Sequence, residues 1–162
     1  MKHLVLSILA FTFLTCVKPS DYPDVPVLEF AGFSKTTLNQ GDIGGDTLLL
    51  TLSFTDGDGD FGTEDRRTEP NIFVKDLRTN QTLRQYKAPF IPLEGTKNGV
   101  KGKINIVFLT TCCVFPPNTG ITPCAVVPQY PKNDLSMEIY IKDRAGNSSN
   151  NVITPPITLN CN

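Results

Sequence analysis

The densest chemistry in this sequence lies in Asp56-Gly57-Asp58-Gly59-Asp60-Phe61-Gly62. Alternate aspartates can turn their carboxylates toward one point, and the glycines permit the left-handed turns this requires. Three anions so close repel unless a hard cation neutralises them, and Ca²⁺ takes several oxygen ligands. The expected ligands are Asp56, Asp58 and Asp60, with Glu64, Asp65 and Asn71 as further candidates. The loop is not an EF-hand: Phe61 stands at its sixth position, where glycine is needed, and Arg67 at its twelfth, where a bidentate glutamate is needed. Binding should be weak, about 10⁻⁴–10⁻³ M as in extracellular modules, with rigidity as its purpose. A solvated acidic hairpin loop accounts for the same residues without an ion.

The sequence excludes more chemistry than it assigns. The one histidine is His3, within an apolar leader. If the leader is removed, no imidazole remains for Ser-His-Asp or Cys-His catalysis or for a His-ligated metal. No GxSxG, P-loop or GxGxxG pattern occurs. The expectation is a protein that is not an enzyme. The net charge is −1 and no basic tract occurs, so nucleic acid is not an expected partner.

The leader itself supplies an address. Lys2 and His3 precede the uncharged run Leu4 to Leu14, which suits a signal peptide and is shorter than the roughly 20 residues a membrane span needs. Phe13-Leu14-Thr15-Cys16 resembles the lipobox of bacterial lipoproteins, although Thr15 stands where a smaller residue is commoner. That resemblance implies cleavage after residue 15, a lipid on Cys16 and attachment to the bacterial outer membrane, with the face left open. A secreted protein with an incidental cysteine is the other reading. Residues 16–26 then form a lipidated start and an extended spacer, DYPDVP, that lifts the domain off the membrane. Residues 27–162 form one domain.

With Cys16 set aside, Cys112, Cys113, Cys124 and Cys161 remain, and an even number in an exported chain reads as two disulfides. Bonding adjacent cysteines is strained. One of Cys112 and Cys113 should therefore join Cys124 and the other Cys161, in an order the sequence leaves open. A four-thiolate zinc site is the competing reading, without a CxxC knuckle to support it.

Period-two alternation predicts strands at 27–33, 47–54, 71–77, 82–86, 103–109, 135–141 and 152–159. Leu48, Leu50, Leu52 and Phe54 share one face of the second, and Leu135, Met137, Ile139 and Ile141 one face of the sixth. Pro155-Pro156 should place the last strand at a sheet edge. Asp143-Arg144-Ala145-Gly146-Asn147 reads as a hairpin turn, with Asp143 as a secondary candidate to support the Asp56–Asp60 loop. About seven short strands with turns between them imply an all-β, antiparallel β-sandwich; a small closed barrel is the alternative.

The loop from Thr111 to Pro131 is long and Pro-rich. Its Val114, Phe115, Val126, Val127 and Tyr130 can form an exposed apolar patch that marks a partner site, or fold back over a sheet edge.

TLLLTLSFTDGDGDFG and SMEIYIKDRAGNSSNNV together resemble immunoglobulin-like or cadherin-like modules of bacterial envelope proteins. More narrowly, they are similar to uncharacterised lipoproteins of the Bacteroidetes type. These share a DGDGD-hydrophobic-Gly loop after an early strand and a D-x-AGN turn before the final one. The resemblance implies an immunoglobulin-like sandwich in the cell envelope. The expected function is a non-catalytic binding or structural module, stiffened by calcium. The alternative is an accessory subunit of a surface glycan-uptake or adhesion complex, with an envelope protein or glycan as partner.

Overall fold

The computed structural model describes residues 21–41, 45–63, 69–92 and 99–162. The leader, Cys16, Glu64 and Asp65 lie outside the described residues.

The chain is an all-β, predominantly antiparallel β-sandwich. In one sheet β3 (Thr47–Asp56) lies between β1 (Val27–Phe33) and β6 (Val100–Leu109), antiparallel to both. The opposing strands are β2 (Thr37–Asn39), β4 (Ile72–Asp76), β5 (Gln81–Tyr86), β7 (Lys132–Leu135), β8 (Met137–Ile141), β9 (Val152–Ile153) and β10 (Ile157–Asn160). Their orders are β5-β4-β8-β9 and β2-β10-β7, and the pairing of β2 with β10 is parallel. Ser136 joins β7 to β8, and its carbonyl accepts from the Leu77 N–H at 3.1 Å. Thr154 donates to the Met137 carbonyl at 2.9 Å, so the two sets are stitched together where their strands bend.

Alternation explains the core. Leu48, Leu50, Leu52 and Phe54 of β3 are buried, as are Ile106 and Phe108 of β6. Leu135, Met137, Ile139 and Ile141 face them, all fully buried. Burying such a side chain contributes about 1.5–3 kcal/mol before chain entropy is charged against it.

The predicted strands are all present, with three differences. The sixth breaks at Ser136 and the seventh at Pro155-Pro156. β2 has only three residues and no alternation long enough to read. The last prediction needs correction: β9 is an edge strand, but β10 is central, between β2 and β7. Prolines carry no N–H, so the ladder stops at Pro155-Pro156 and the chain crosses to a different set of partners there.

Both disulfides are formed. Cys112 bonds Cys124 and Cys113 bonds Cys161, which resolves the open pairing. The thiols are thus spoken for, and the zinc reading lapses. The first bond closes the Pro-rich loop on itself, and the second ties it to the residue that follows β10.

Candidate metal centre

Strand parity determines which aspartates turn inward. Asp56 continues the row Leu48-Leu50-Leu52-Phe54, so it ends β3 pointing at the core and is 0 % exposed. Asp143 continues the row Met137-Ile139-Ile141 two residues past β8 and is buried. Asp60 comes over from the loop between them. One carboxylate oxygen from each of Asp56, Asp60 and Asp143 lies within 4.8 Å of the others.

The loop is built to bring these groups together. Phe61 is buried on Phe54, with ring centroids 4.7 Å apart, and plugs the loop into the core. Its N–H donates to Oδ2 of Asp56 at 2.8 Å. Asp60 receives the Arg144 N–H on Oδ1 at 3.3 Å and the Ala145 N–H on Oδ2 at 2.9 Å, which fastens the loop to the turn after β8. Asp143 is held inside its own turn by Asn147, whose N–H and Nδ2 donate at 2.7 and 2.8 Å. The hairpin reading of 143–147 holds, with Gly146 at φ 93°.

The glycines serve two ends. Gly57 is buried, and a Cβ there would lie 2.7 Å from the Pro23 carbonyl carbon and overlap the Tyr22 carbonyl oxygen. Gly62 takes φ 100°, and a Cβ on it would overlap the Pro89 carbonyl oxygen. Left-handed backbone is thus part of the explanation, and close passage of two other chain segments is the rest.

The electrostatics are unbalanced. Oδ1 of Asp56 is buried and has no hydrogen-bond partner. Among the described residues no Lys or Arg forms an ion pair with Asp56, Asp60 or Asp143. Burial pushes the Asp56 carboxyl up to about 7, against the pull of the Phe61 N–H, and the charges of Asp58 and Asp60 add to the rise. Asp60 is raised by burial and by the charges of Asp143 and Asp58. Asp76, the third inward aspartate, makes the contrast. It ends β4 at the opposite pole of the sandwich, and Arg78 neutralises it.

These directions carry a sign. A carboxyl whose pKa is raised from 3.8 to about 7 on folding binds its proton more tightly in the folded state. Metal-stripped protein should therefore lose stability as pH rises from about 4 to about 7. Urea titrations at pH 5 and pH 7.5 on the parent and Asp56→Asn measure this. The parent should be more stable at pH 5, and the variant should show a smaller difference. A parent that gains stability toward pH 7.5 would mean that Asp56 is ionised and well satisfied without a cation.

Hard oxygen donors suit Ca²⁺ better than a soft metal, and a buried carboxylate oxygen without a partner is the kind of atom such an ion satisfies. The residues present fit the ion, with a changed membership. Asp58, expected as a ligand, is exposed and is not one of the three; its Oδ1 accepts a long contact from the Asp60 N–H at 3.4 Å, and its side chain still lies close enough to Asp56 to help raise that carboxyl. Asp58 shares the even spacing of Asp56 and Asp60, but β3 ends at Asp56, so alternation no longer sets its direction and the loop leaves it exposed. Asn71 is buried, but its Oδ1 accepts from the Ala88 N–H at 2.8 Å.

The expected apolar patch of the Pro-rich loop is largely folded away. Phe115 is buried, and Tyr130 packs on it at 5.7 Å. Val114 and Val127 are half-buried, and Val126 alone stands well out, 67 % exposed. The two disulfides and the Asn133 side chain, bonded to both N–H and C=O of Val114 at 3.1 Å, draw the loop back over the sandwich.

No protein-family model, curated protein or solved structure matches this chain.

Proposed function

We propose that this chain is a non-catalytic module of the bacterial cell envelope, held to the outer membrane by a lipid on Cys16 and stiffened by a calcium ion at Asp56, Asp60 and Asp143. The observation that carries the reading is the buried, unpartnered Oδ1 of Asp56 converging with two further carboxylates. An ion there joins the end of β3, the loop after it and the turn after β8, so it fastens one sheet to the other. Two disulfides at the opposite pole support an oxidising compartment, as the lipobox-like Phe13-Leu14-Thr15-Cys16 does. The parallel pairing of β2 with β10, next to antiparallel β7, supports an immunoglobulin-like arrangement of the sandwich.

The test is a thermal melt with and without Ca²⁺. At about 100 times Kd the ion should add about 2.7 kcal/mol, a rise in Tm of about 5–10 °C. Asp143→Asn should abolish most of the rise, and Asp58→Ala should keep it. The reverse pattern would return the site to the loop alone. No rise in the parent would leave the acidic cluster without an ion.

A further inference from the structure

The segment 21–26 departs from the free spacer its composition predicts. It lies on the metal loop. The Gly57 N–H donates to the Pro23 carbonyl at 2.8 Å, Gly57 has no space for a side chain because Tyr22 and Pro23 pass over it, and Pro26 is buried. The amide that holds Pro23 belongs to the peptide plane between Asp56 and Gly57. That plane is rigid and starts at the Cα of Asp56, so whatever fixes the Asp56 carboxylate restricts the direction of this N–H.

We propose that cation binding at Asp56, Asp60 and Asp143 latches the segment 21–26 onto the loop, so that the ion sets how closely the amino-terminal tether is held to the domain. This rests on the reading of the three aspartates as a cation site. Without the ion, Asp56, Asp58, Asp60 and Asp143 are four acidic groups in one small region, and their repulsion opens the loop that presents the Gly57 amide. With the ion, the loop closes and the amide stays on Pro23. The other end of the segment is held either way, because the Asn150 side chain bonds both the N–H and C=O of Leu28, at 2.8 and 2.9 Å. Loss of the Gly57–Pro23 bond therefore loosens the chain no further than residue 26, an added reach of up to about 20 Å.

The coupling is reciprocal: if the ion favours the latched segment, the latched segment favours the ion by the same factor. Hydrogen exchange on the purified chain, in Ca²⁺ and in chelator, reads the first half. Calcium binding by calorimetry reads the second. In Ca²⁺ the Gly57 amide should exchange about tenfold more slowly, with slowing at Asp24 and Val25. Gly57→Ala, which pushes Tyr22 and Pro23 off the loop, should remove the slowing and weaken calcium binding about tenfold. Pro23→Gly leaves the loop unchanged and loosens only the segment; it should act in the same direction and covers the case in which Gly57→Ala does not fold. Calcium that binds the parent with no change in exchange at Gly57, or binds Pro23→Gly as tightly as the parent, overturns the latch and leaves the ion. A parent that binds no calcium overturns the ion itself, and the latch with it.

Discussion

Arg78→Ala should destabilise the chain by about 3–5 kcal/mol, the loss expected when one member of a buried ion pair is removed. The guanidinium is nearly buried and grips Asp76 with two nitrogens: Nε lies 3.0 and 3.2 Å from the two carboxylate oxygens and Nη2 lies 2.7 Å from Oδ2. Nη1 donates to the Cys112 carbonyl at 3.1 Å and to Oδ1 of Asn133 at 2.6 Å. One side chain thus joins the turn after β4, the disulfide loop and β7. Truncation leaves the Asp76 carboxylate buried with the Arg78 N–H, 2.8 Å away, as its remaining donor. Lysine should not rescue the loss, because a single ammonium cannot reproduce the planar fork. Urea denaturation of Arg78→Ala, Arg78→Lys and Asp76→Leu/Arg78→Leu makes the comparison. The double variant should recover much of the loss, since it removes both charges together. A loss under about 1 kcal/mol for Arg78→Ala is the value of a surface pair and would contradict this account.

Replacing Cys113 and Cys161 together by serine should cost about 4 kcal/mol. The bond spans 48 positions, and the entropy of closing a loop of that length in the unfolded chain gives that figure. The bond between Cys112 and Cys124 spans 12 positions and should be worth about 1 kcal/mol less on the same argument. The long bond has a further role. Cys113 and Cys161 are both buried, and the Gln40 side chain donates to the Cys161 carbonyl at 2.7 Å while accepting from the Cys113 N–H at 3.0 Å. Loss of the long bond should therefore also loosen β2 and β10, seen as faster amide exchange at Leu38 and Leu159. If the short bond proved the more costly of the two, loop-closure entropy would not set the order, and native contacts held by the Pro-rich loop would have to account for it.

Much of the fold was legible because burial on one face of a strand writes itself into the sequence every second residue. Leu48 to Phe54 and Leu135 to Ile141 show this plainly. β2 was not legible: its stability comes from parallel pairing with β10, a partner more than a hundred positions away, which three residues cannot announce. The carboxylate cluster was half legible. Spacing within DGDGD points to three loop aspartates, and strand parity past Phe54 places Asp56 on the inner side; β3 ends there, so which of Asp58 and Asp60 turns in is set by the loop and cannot be counted off the sequence. The same count past Ile141 reaches Asp143. The apolar side chains of the Pro-rich loop misled because composition does not reveal a loop drawn back by disulfides. Arg78 gave no signal at all, since its partners Cys112 and Asn133 meet it only through the topology.

The place of β10 has a consequence for how the molecule assembles. It follows every other strand in sequence, yet it is the middle member of its set, and it meets Asn39 from Asn160 across a separation of 121 positions. β2 and β7 therefore wait, with bare edges, while nearly all the intervening polypeptide is made. Such non-local closure is slow, milliseconds to seconds in β-rich domains. A nascent chain that has not yet delivered Ile157 holds two open templates for pairing with a neighbour, and this interval is when a chaperone would matter most.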